Sequence, residues 1–456
     1  MIHKFKIGDT KLVLDVNSGA VHIIDDIVYD ILDEDHIKDT EEIIEQLSCK
    51  YSQSEIMEAV EEVKQLQKEG LLYSPDMYRE LPAFRERKPV IKAMCLHIAH
   101  DCNMRCQYCF ASQGSFNGQK SFMSEEVGKK AIDFLIENSG DRRNLEIDFF
   151  GGEPLMNFDV VKKIVEYGRA REKEANKHFR FTITTNGLLL NDETIDYINQ
   201  NMDNVILSID GRKEIHDRMR HTVEGLGTYD RILSKYKKML RLRKDKLYFV
   251  RGTFTKYNLD FTKDVLHLAD LGFKNISMEP VVVDEQIDYG IEYEDLPKVF
   301  EEYEKLADAY IERKNKENEF TFFHFMIDLN QGPCVIKRLT GCGAGTEYLA
   351  ITPEGDMYPC HQFVGDSDFK IGNVFDNTFD RNIGLQFKDA HVYNKKDCQN
   401  CWAKFYCSGG CHANAYQFNK DIQKPYQIGC EMEKKRIECA LAIQAKLFAK
   451  EGLEND

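Results

Sequence analysis

The chain has 456 residues, more than one ordinary hydrophobic core accommodates, so we expect two or three domains. A formal net charge of −16 argues against a nucleic-acid partner, and no apolar run approaches the ~18 residues that span a bilayer. Because the amino-terminal residues also lack a signal-peptide core, we expect a cytoplasmic protein with no membrane partner.

Residues 1–75 are predicted to form a small separate module. The alternating runs Lys4–Ile7 and Leu12–Val16 meet at a Gly-Asp turn and predict a β-hairpin. Thr40 is expected to cap the second of three helices, and Gly70–Tyr73 is expected to begin a further strand. The predicted helices are Asp26–Leu32, Thr40–Leu47 and Gln53–Glu69. Acidic residues crowd these helices, which disfavours DNA binding. Two roles stay open for the module: it binds a peptide, or it only packs against the rest of the protein.

Residues 76–89 are charged, contain prolines and show no periodicity, which predicts a linker. Over residues 90–317 short apolar runs alternate with amphipathic helical patterns, as in a parallel βαβ sheet whose ligands bind beyond the carboxyl ends of the strands. A long acidic helix is predicted over Leu296–Glu317, and residues 318–456 are then rich in cysteine. The six predicted strands are Ala93–His97, Leu145–Phe150, Phe181–Thr185, Val205–Ile209, Tyr248–Phe254 and Asn275–Glu279.

Three cysteines with the spacing C-x3-C-x2-C follow the first predicted strand: Cys102, Cys106 and Cys109. In a reducing compartment, cysteines are expected to bind metal rather than form disulfides. A [4Fe–4S] cluster has four irons, so three thiolates leave one iron free for another ligand. The alternative is three buried cysteines in a loop.

This triad resembles that of the radical S-adenosylmethionine (SAM) superfamily. The resemblance implies that the free iron chelates the methionine part of SAM and that an electron from the cluster releases a 5′-deoxyadenosyl radical. It makes the three cysteines the catalytic residues. It also implies an α/β fold with a partial (β/α)6 barrel, in which the cluster loop follows the first strand.

Residues near the triad match SAM-binding positions of that superfamily. Tyr108 is expected near the adenine, and Gly151, Gly152, Glu153 and Pro154 follow the second strand. Glycines allow close approach of the backbone to a ligand, and a carboxylate accepts hydrogen bonds from an ammonium group. The resemblance assigns this Gly-Gly-Glu-Pro segment to the amino group of SAM.

Later strand ends supply further candidates for the same pocket. Ser208 and Asp210 lie at the end of the fourth strand and suit ribose hydroxyls. Ser208 is the stronger candidate, and Asp210, Asn186 and Thr253 are weaker ones. Arg251 on the fifth strand could pair with the methionine carboxylate, because a guanidinium matches a carboxylate in shape. Each of these residues taken alone is explained equally well as a capping or turn residue.

The cysteine-rich segment resembles a SPASM domain, which carries two auxiliary clusters and brings the expected total to three [4Fe–4S] clusters. The resemblance assigns the seven cysteines to an outer cluster and to an inner one nearer the active site. The outer set is Cys398, Cys401, Cys407 and Cys430, and the inner set is Cys342, Cys360 and Cys411. Taken locally, C-x2-C pairs also suit a tetrahedral zinc ion.

The remaining cysteines are Cys49, Cys95, Cys334 and Cys439. We expect Cys49, Cys95 and Cys439 to serve as small buried hydrophobic residues. The resemblance leaves two possibilities for Cys334: as a fourth thiolate it closes the inner cluster, and otherwise an open iron could capture a substrate cysteine. The open form is favoured.

The whole chain resembles peptide maturases that act on ribosomally made and modified (RiPP) precursors, and most closely those for six-cysteine (SCIFF) peptides, which yield ranthipeptides. The opening Met-Ile-His-Lys-Phe and the stretch Tyr358-Pro359-Cys360-His361-Gln362 support this. The resemblance makes residues 1–75 a winged-helix RiPP recognition element that binds the precursor leader by β-augmentation. It implies a thioether between a cysteine sulfur and a carbon of an acceptor residue, and an electron donor such as ferredoxin or flavodoxin.

Other chemistries stay open. Anaerobic sulfatase-maturing enzymes share the core and the SPASM domain, but there an Asp follows the inner-cluster cysteine, whereas here His361 follows Cys360. Peptide α-carbon thioethers and carbon–carbon crosslinks are further possibilities. A non-enzymatic iron–sulfur electron carrier would have no use for the Gly-Gly-Glu-Pro segment.

Overall fold

The computed structural model describes residues 1–81, 86, 88, 90–284, 286–329, 335–376 and 378–454. Within these ranges the strands form a three-stranded antiparallel sheet and an eleven-stranded, mostly parallel sheet. The strands are β1 (Ile2–Ile7), β2 (Thr10–Asp15), β3 (Val21–Ile24), β4 (Ala93–Ala99), β5 (Asn144–Gly151), β6 (His178–Thr185), β7 (Asn204–Ser208), β8 (Phe249–Phe254), β9 (Asn275–Pro280), β10 (Thr321–Phe322), β11 (Tyr348–Ile351), β12 (Asp356–Tyr358), β13 (Gly372–Asn373) and β14 (Thr378–Phe379).

Helices connect most of these strands and make up much of the carboxyl-terminal third. They are α1 (Asp26–Ile31), α2 (Thr40–Leu47), α3 (Gln53–Lys68), α4 (Glu125–Asn138), α5 (Phe158–Ala175), α6 (Asp192–Asn201), α7 (Lys213–Met219), α8 (Tyr229–Arg243), α9 (Phe261–Asp270), α10 (Leu296–Arg313), α11 (Val335–Thr340), α12 (Arg381–Asp389), α13 (Lys396–Gln399), α14 (Lys404–Cys407), α15 (His412–Asn419) and α16 (Gln427–Glu454). In the described ranges none of them combines the length and apolar character that a membrane span requires.

The amino-terminal module pairs its strands in the order β1-β2-β3 and adds three helices. The predicted hairpin and helices are present, but the strand predicted at Gly70–Tyr73 is wrong. Positive φ angles of 73° at Gly70 and 53° at Tyr73 turn the backbone there instead of extending it. The Asp39 side chain, rather than Thr40, caps α2 by accepting a hydrogen bond from the Glu41 N–H.

The large sheet carries the predicted core. Strands β4 to β9 lie side by side in chain order and are parallel, so the six predicted strands and the α/β fold with an open sheet are confirmed. Strand β4 is buried at every position, as suits an apolar run in the interior of a parallel sheet. Helix α10 ends at Arg313, short of the predicted residue 317, because Lys314 leaves the helical region with a ψ of 133°. Asn315 then turns the chain with a left-handed φ of 62°.

The sheet continues past residue 317. Strand β10 is parallel to β9, and β11 is parallel to β4, with Tyr348 opposite Ala93. Strands β12 to β14 extend that edge in antiparallel fashion. The cysteine-rich segment is therefore built onto the same sheet that carries the triad loop.

The carboxyl-terminal helix α16 packs along α10 and also contacts β1 and β3 of the amino-terminal module. His3 of β1 stacks on Trp402, with 3.8 Å between ring centroids, and its Nε2 lies 2.9 Å from a Glu438 oxygen. The module thus rests on the cysteine-rich region. Part of the predicted linker from the module to the core, residues 76–89, lies outside the described residues.

Candidate active site

The cysteine triad lies in the loop that leaves the carboxyl end of β4, as predicted. Cys102, Cys106 and Cys109 are partly buried free thiols and line one cavity. Burial, followed by the charges of Glu153 and the other two cysteines, raises the pKa of Cys102 to about 12. The three thiols border the same cavity, and a bound metal would deprotonate them.

In the described residues, the three thiols of the triad are not grouped as the ligands of a single metal ion would be. Around a tetrahedral Zn²⁺ with bonds of about 2.3 Å, the sulfurs lie only ~3.8 Å apart. In the part of the chain that the structure describes, no three His, Cys, Asp or Glu residues are grouped closely enough to hold one metal ion. Three cysteines on the wall of one cavity are a ligand set that would leave one iron of a [4Fe–4S] cluster open, so these residues fit that cluster in number and type.

Two glycines bring the backbone after β5 against the cysteine loop. The Gly152 N–H donates to the Ala99 carbonyl at 2.8 Å, and the Glu153 N–H donates to the Asp101 carbonyl at 2.9 Å. A Cβ on Gly152 would lie 2.1 Å from the Asp101 oxygen, and one on Gly151 would lie 2.4 Å from the Ala99 oxygen. Only glycine fits these two positions.

Glu153 is buried beside the triad and caps the short 3₁₀ helix that begins at Pro154. Its carboxylate accepts hydrogen bonds from the Leu155 N–H, the Thr185 hydroxyl and the Asn186 N–H at 2.8 to 3.0 Å. Burial nevertheless raises the pKa of Glu153 to about 7. A cationic ligand in the cavity would therefore be strongly favoured by this carboxylate.

Asp210 does not face the cavity as expected for a ribose ligand. It is fully buried, and its carboxylate accepts from the Tyr108 hydroxyl at 2.5 Å, from Arg220 Nε at 3.0 Å and from the Thr253 N–H at 3.0 Å. Because all three bonds point to protein groups, Asp210 holds Tyr108, and with it the cysteine loop, in place. Ser208 at the end of β7 does line the cavity.

The cavity beyond the triad has a volume of about 300 Å³. Its wall includes the predicted Tyr108, Gly151 to Pro154, Ser208 and Arg251, together with the weaker candidates Asn186 and Thr253. His361, from the cysteine-rich region, closes it on another side. A pocket with one thiol-bearing wall, one buried carboxylate and close glycine backbone suits a small, positively charged ligand such as SAM.

The other cysteines form the two predicted sets. The pKa of Cys360 is raised by burial, then by Cys411 and Cys342, so these three thiols lie together. The pKa of Cys407 is likewise raised by burial and by Cys430, Cys398 and Cys401. The structure brings together the residues that were assigned to an inner and an outer cluster.

A second cavity of about 400 Å³ adjoins the first. Cys407, Cys411 and Cys430 lie in its wall. The two cavities share Arg251, Glu279, Pro280 and Val282. A path therefore runs from the triad to both cysteine sets past Arg251, which is itself more than half exposed.

Two charged groups at this site were not predicted from the sequence. Arg220 lines the first cavity and pairs with Asp210, but nothing in its local sequence marks it. Glu279 ends β9 and pairs with Arg251 at 3.7 Å and Arg436 at 3.6 Å. Its position at a strand end beyond the fifth strand was the available signal.

Three cysteines outside the sets were expected to be buried. Cys95 and Cys439 are buried, but Cys49 is exposed, because it follows the end of α2 in a surface turn. Cys334, whose role toward the inner cluster was left open, lies outside the described residues.

Comparison with known proteins agrees with this geometry. Residues 96–268 match the radical SAM superfamily, and residues 342–402 match the SPASM iron–sulfur cluster-binding domain. A cysteine-type anaerobic sulfatase-maturating enzyme of Clostridium novyi is 25% identical over 338 residues, which cover 69% of this chain and 86% of that protein.

Two solved structures share the fold. Native anSMEcpe with bound AdoMet has a TM-score of 0.65 at 21% identity, over 78% of this chain and 99% of that one. SuiB of Streptococcus suis bound to precursor peptide SuiA has a TM-score of 0.53 at 16% identity, over 93% of this chain and 97% of that one.

Proposed function

We propose that this protein, which carries a radical SAM domain and a SPASM domain, joins cysteine sulfur to carbon within a ribosomally made, cysteine-rich precursor peptide. The first domain uses SAM and a [4Fe–4S] cluster, and the second binds auxiliary iron–sulfur clusters. In the proposal the triad Cys102, Cys106 and Cys109 holds the SAM-binding cluster. The inner and outer cysteine sets hold the auxiliary clusters.

The observation that carries the proposal is the pair of adjoining cavities. The first is lined by the triad and the second by Cys407, Cys411 and Cys430, and Arg251 and Glu279 belong to both walls. A peptide segment at this junction would have the radical-generating site on one side and thiolate-bearing walls on the other. Sulfur-to-carbon coupling takes a hydrogen atom from carbon and a proton and one electron from the thiol. The proton would leave to water, and an auxiliary cluster held at the second wall would supply the acceptor for the electron.

When bound, SAM and its cluster supply a 5′-deoxyadenosyl radical that abstracts a hydrogen atom from a substrate carbon. In the proposal Glu153 binds the amino group of SAM, because burial disfavours its charge until a cation arrives. Arg251 could take a carboxylate of SAM or of the peptide. The glycines at 151 and 152 give the ligand access to backbone polar groups.

His361 brings a neutral imidazole to the wall of the first cavity. Burial, and then Arg251, lowers the pKa of His361 to about 4, so its ring is neutral near pH 7. Its Nδ1 lies 3.3 Å from the Tyr348 hydroxyl.

The amino-terminal module is proposed to bind the leader of the precursor along β3. Within the described ranges β3 pairs only with β2, which leaves one of its edges for an added strand. The structure of SuiB with its peptide aligns with 93% of this chain. The part of this chain without a counterpart is therefore shorter than the module at residues 1–75. Most of the module therefore has a counterpart in a protein that was solved with a precursor peptide.

Sulfatase maturation, the oxidation of a protein cysteine or serine to formylglycine, is the second candidate. It is favoured by the relative from Clostridium novyi and by the higher TM-score of the anSMEcpe structure. That structure is matched over 99% of its length by 78% of this chain, so about a fifth of this chain has no counterpart in it. Binding of a leader would give that additional part a purpose.

Mass spectrometry of the modified peptide separates the two candidates. Anaerobically reconstituted protein, SAM and dithionite would be incubated with a six-cysteine precursor and, separately, with a sulfatase-derived cysteine peptide. We expect only the six-cysteine precursor to be modified, and the sulfatase-derived peptide to stay unchanged. For each crosslink formed, the precursor should lose two hydrogen atoms, and one of its cysteines should become resistant to alkylation. An aldehyde on the sulfatase peptide, with the precursor unchanged, would favour formylglycine formation. Replacing dithionite by reduced ferredoxin or flavodoxin would test the proposed donor.

A further inference from the structure

Lys395 is a fully buried lysine at the start of α13, between the two auxiliary cysteine sets. Its ammonium donates to the Gly409 carbonyl at 2.7 Å. Gly409 lies midway along the short segment that joins Cys407 of the outer set to Cys411 of the inner set. The same ammonium lies 3.3 Å from Nδ1 of His412, the residue that follows Cys411.

The second observation is that this buried cation lacks a carboxylate partner. In the described ranges no Asp or Glu forms an ion pair with Lys395, and its polar contacts are a carbonyl oxygen and a ring nitrogen. A buried ammonium without a counter-ion is strongly disfavoured, so an anion is expected nearby.

Other buried cations of this region do have carboxylates. Lys404 lies 3.6 Å from Asp76, and Arg436 pairs with Glu433 and Glu279. Burial lowers the pKa of Lys395, and negative charge on nearby thiols raises it. These thiols belong to both sets: Cys398, Cys407, Cys411 and Cys430. A [4Fe–4S] cluster held by thiolates is anionic and would provide the missing negative charge.

We propose that Lys395 is the counter-cation shared by the two auxiliary clusters, and that its charge favours the reduced state of both. Because reduction adds one negative charge to a cluster, a nearby fixed positive charge stabilises the product of reduction. The proposal rests on the assignment of the two cysteine sets to clusters. It does not depend on which product the enzyme makes.

The test uses the full chain with Cys102, Cys106 and Cys109 replaced by alanine, so that the remaining signals come from the auxiliary clusters. Lys395→Met removes the charge at similar size, and Lys395→Arg keeps it. Lys396→Met is the matched control, because the neighbouring Lys396 is exposed. After anaerobic reconstitution, iron and sulfide are assayed and midpoint potentials are determined by redox titration monitored by electron paramagnetic resonance.

We expect Lys395→Met to lower the ratio of reduced to oxidised cluster at a fixed potential at least tenfold for both clusters, which is ~59 mV for a one-electron couple. The Arg variant and Lys396→Met should stay within threefold of the parent. Unchanged potentials in Lys395→Met, a shift in one cluster only, or an equal shift in Lys396→Met would overturn the proposal.

Loss of clusters from the Met variant is also informative. If Lys395→Met fails to retain iron while Lys395→Arg retains it, a buried charge is required and the proposal stands. If both variants lose their clusters equally, Lys395 acts through packing and the proposal fails. Peptide modification is not measured here, so a failure of the proposed reaction would leave these outcomes unaffected.

Discussion

Substitution of Arg220 by Met tests how the cysteine loop is held. The change keeps the apolar stem of the side chain and removes the guanidinium that lies 3.0 Å from Asp210. At an effective dielectric constant of ~20, two charges 3.0 Å apart attract each other by about 5 kcal/mol. Removing one partner of such a buried pair typically costs ~3–5 kcal/mol, because the other charge is left uncompensated.

The functional effect should exceed the loss of stability alone. Asp210 also accepts the Tyr108 hydroxyl, and Tyr108 lies between two of the triad cysteines. We therefore expect Arg220→Met to lower the iron content of the triad site and to weaken SAM binding at least tenfold. Iron analysis and SAM titration, alongside unfolding in guanidinium, measure the two effects separately.

Arg212→Met is the matched control for this experiment. Arg212 pairs with the buried Asp264 at 2.8 Å and with Asp260 at 2.8 Å, but it does not contact the cysteine loop. We expect a similar loss of stability with SAM binding retained. If the two variants lost SAM binding equally, or if Arg220→Met bound SAM normally, Arg220 would have no special role in positioning the triad.

Three further predictions concern the glycine pair, the buried glutamate and the module. Gly152→Ala should abolish SAM binding, because the added Cβ would lie 2.1 Å from a backbone oxygen. In the control Gly118→Ala the added Cβ would lie 3.5 Å from the nearest atom, so this variant should bind SAM normally. Calorimetric titration with SAM compares the two variants. Because burial raises the pKa of Glu153 to about 7, its contribution to the stability of the SAM-free protein is present at pH 4.5 and is lost as the pH rises through 7. Glu153→Gln should remove about 3 kcal/mol of that pH dependence, and an unchanged slope between pH 5 and 8 in guanidinium unfolding would refute the assignment. On the edge strand β3, Ile23→Asp should weaken binding of a labelled precursor at least tenfold. The control Leu385→Asp changes a similarly exposed residue on α12 and should leave precursor binding intact. Equal binding by the two variants would rule out β3 as the docking edge.

Local pattern was enough to predict the six parallel strands and the loop that carries the triad. Short runs rich in apolar residues recur between helical patterns, and the three cysteines fall within a span of eight residues. The apolar run Leu-Leu-Tyr after Gly70 misled the same reasoning, since the backbone there turns through positive φ angles that composition does not reveal.

The missed features depend on contacts between distant parts of the chain. Tyr108 and Asp210 are 102 residues apart, and the pairing of Asp210 with Arg220 is visible only once β7 and α7 are in place. Lys395 lies in the polar run Asn-Lys-Lys-Asp, which is typical of a surface turn. Its burial follows from the two cysteine-bearing segments that fold around it, and no periodicity in the sequence records that.

The central claim is that Cys102, Cys106 and Cys109 hold a cluster that cleaves SAM. The most direct measurement is the amount of 5′-deoxyadenosine formed under dithionite by the reconstituted protein and by Cys106→Ala, with the exposed Cys49→Ala as the control. We predict product from the unaltered protein and from Cys49→Ala, and none above background from Cys106→Ala. Continued SAM cleavage by Cys106→Ala, or its absence from the unaltered protein, would contradict the claim.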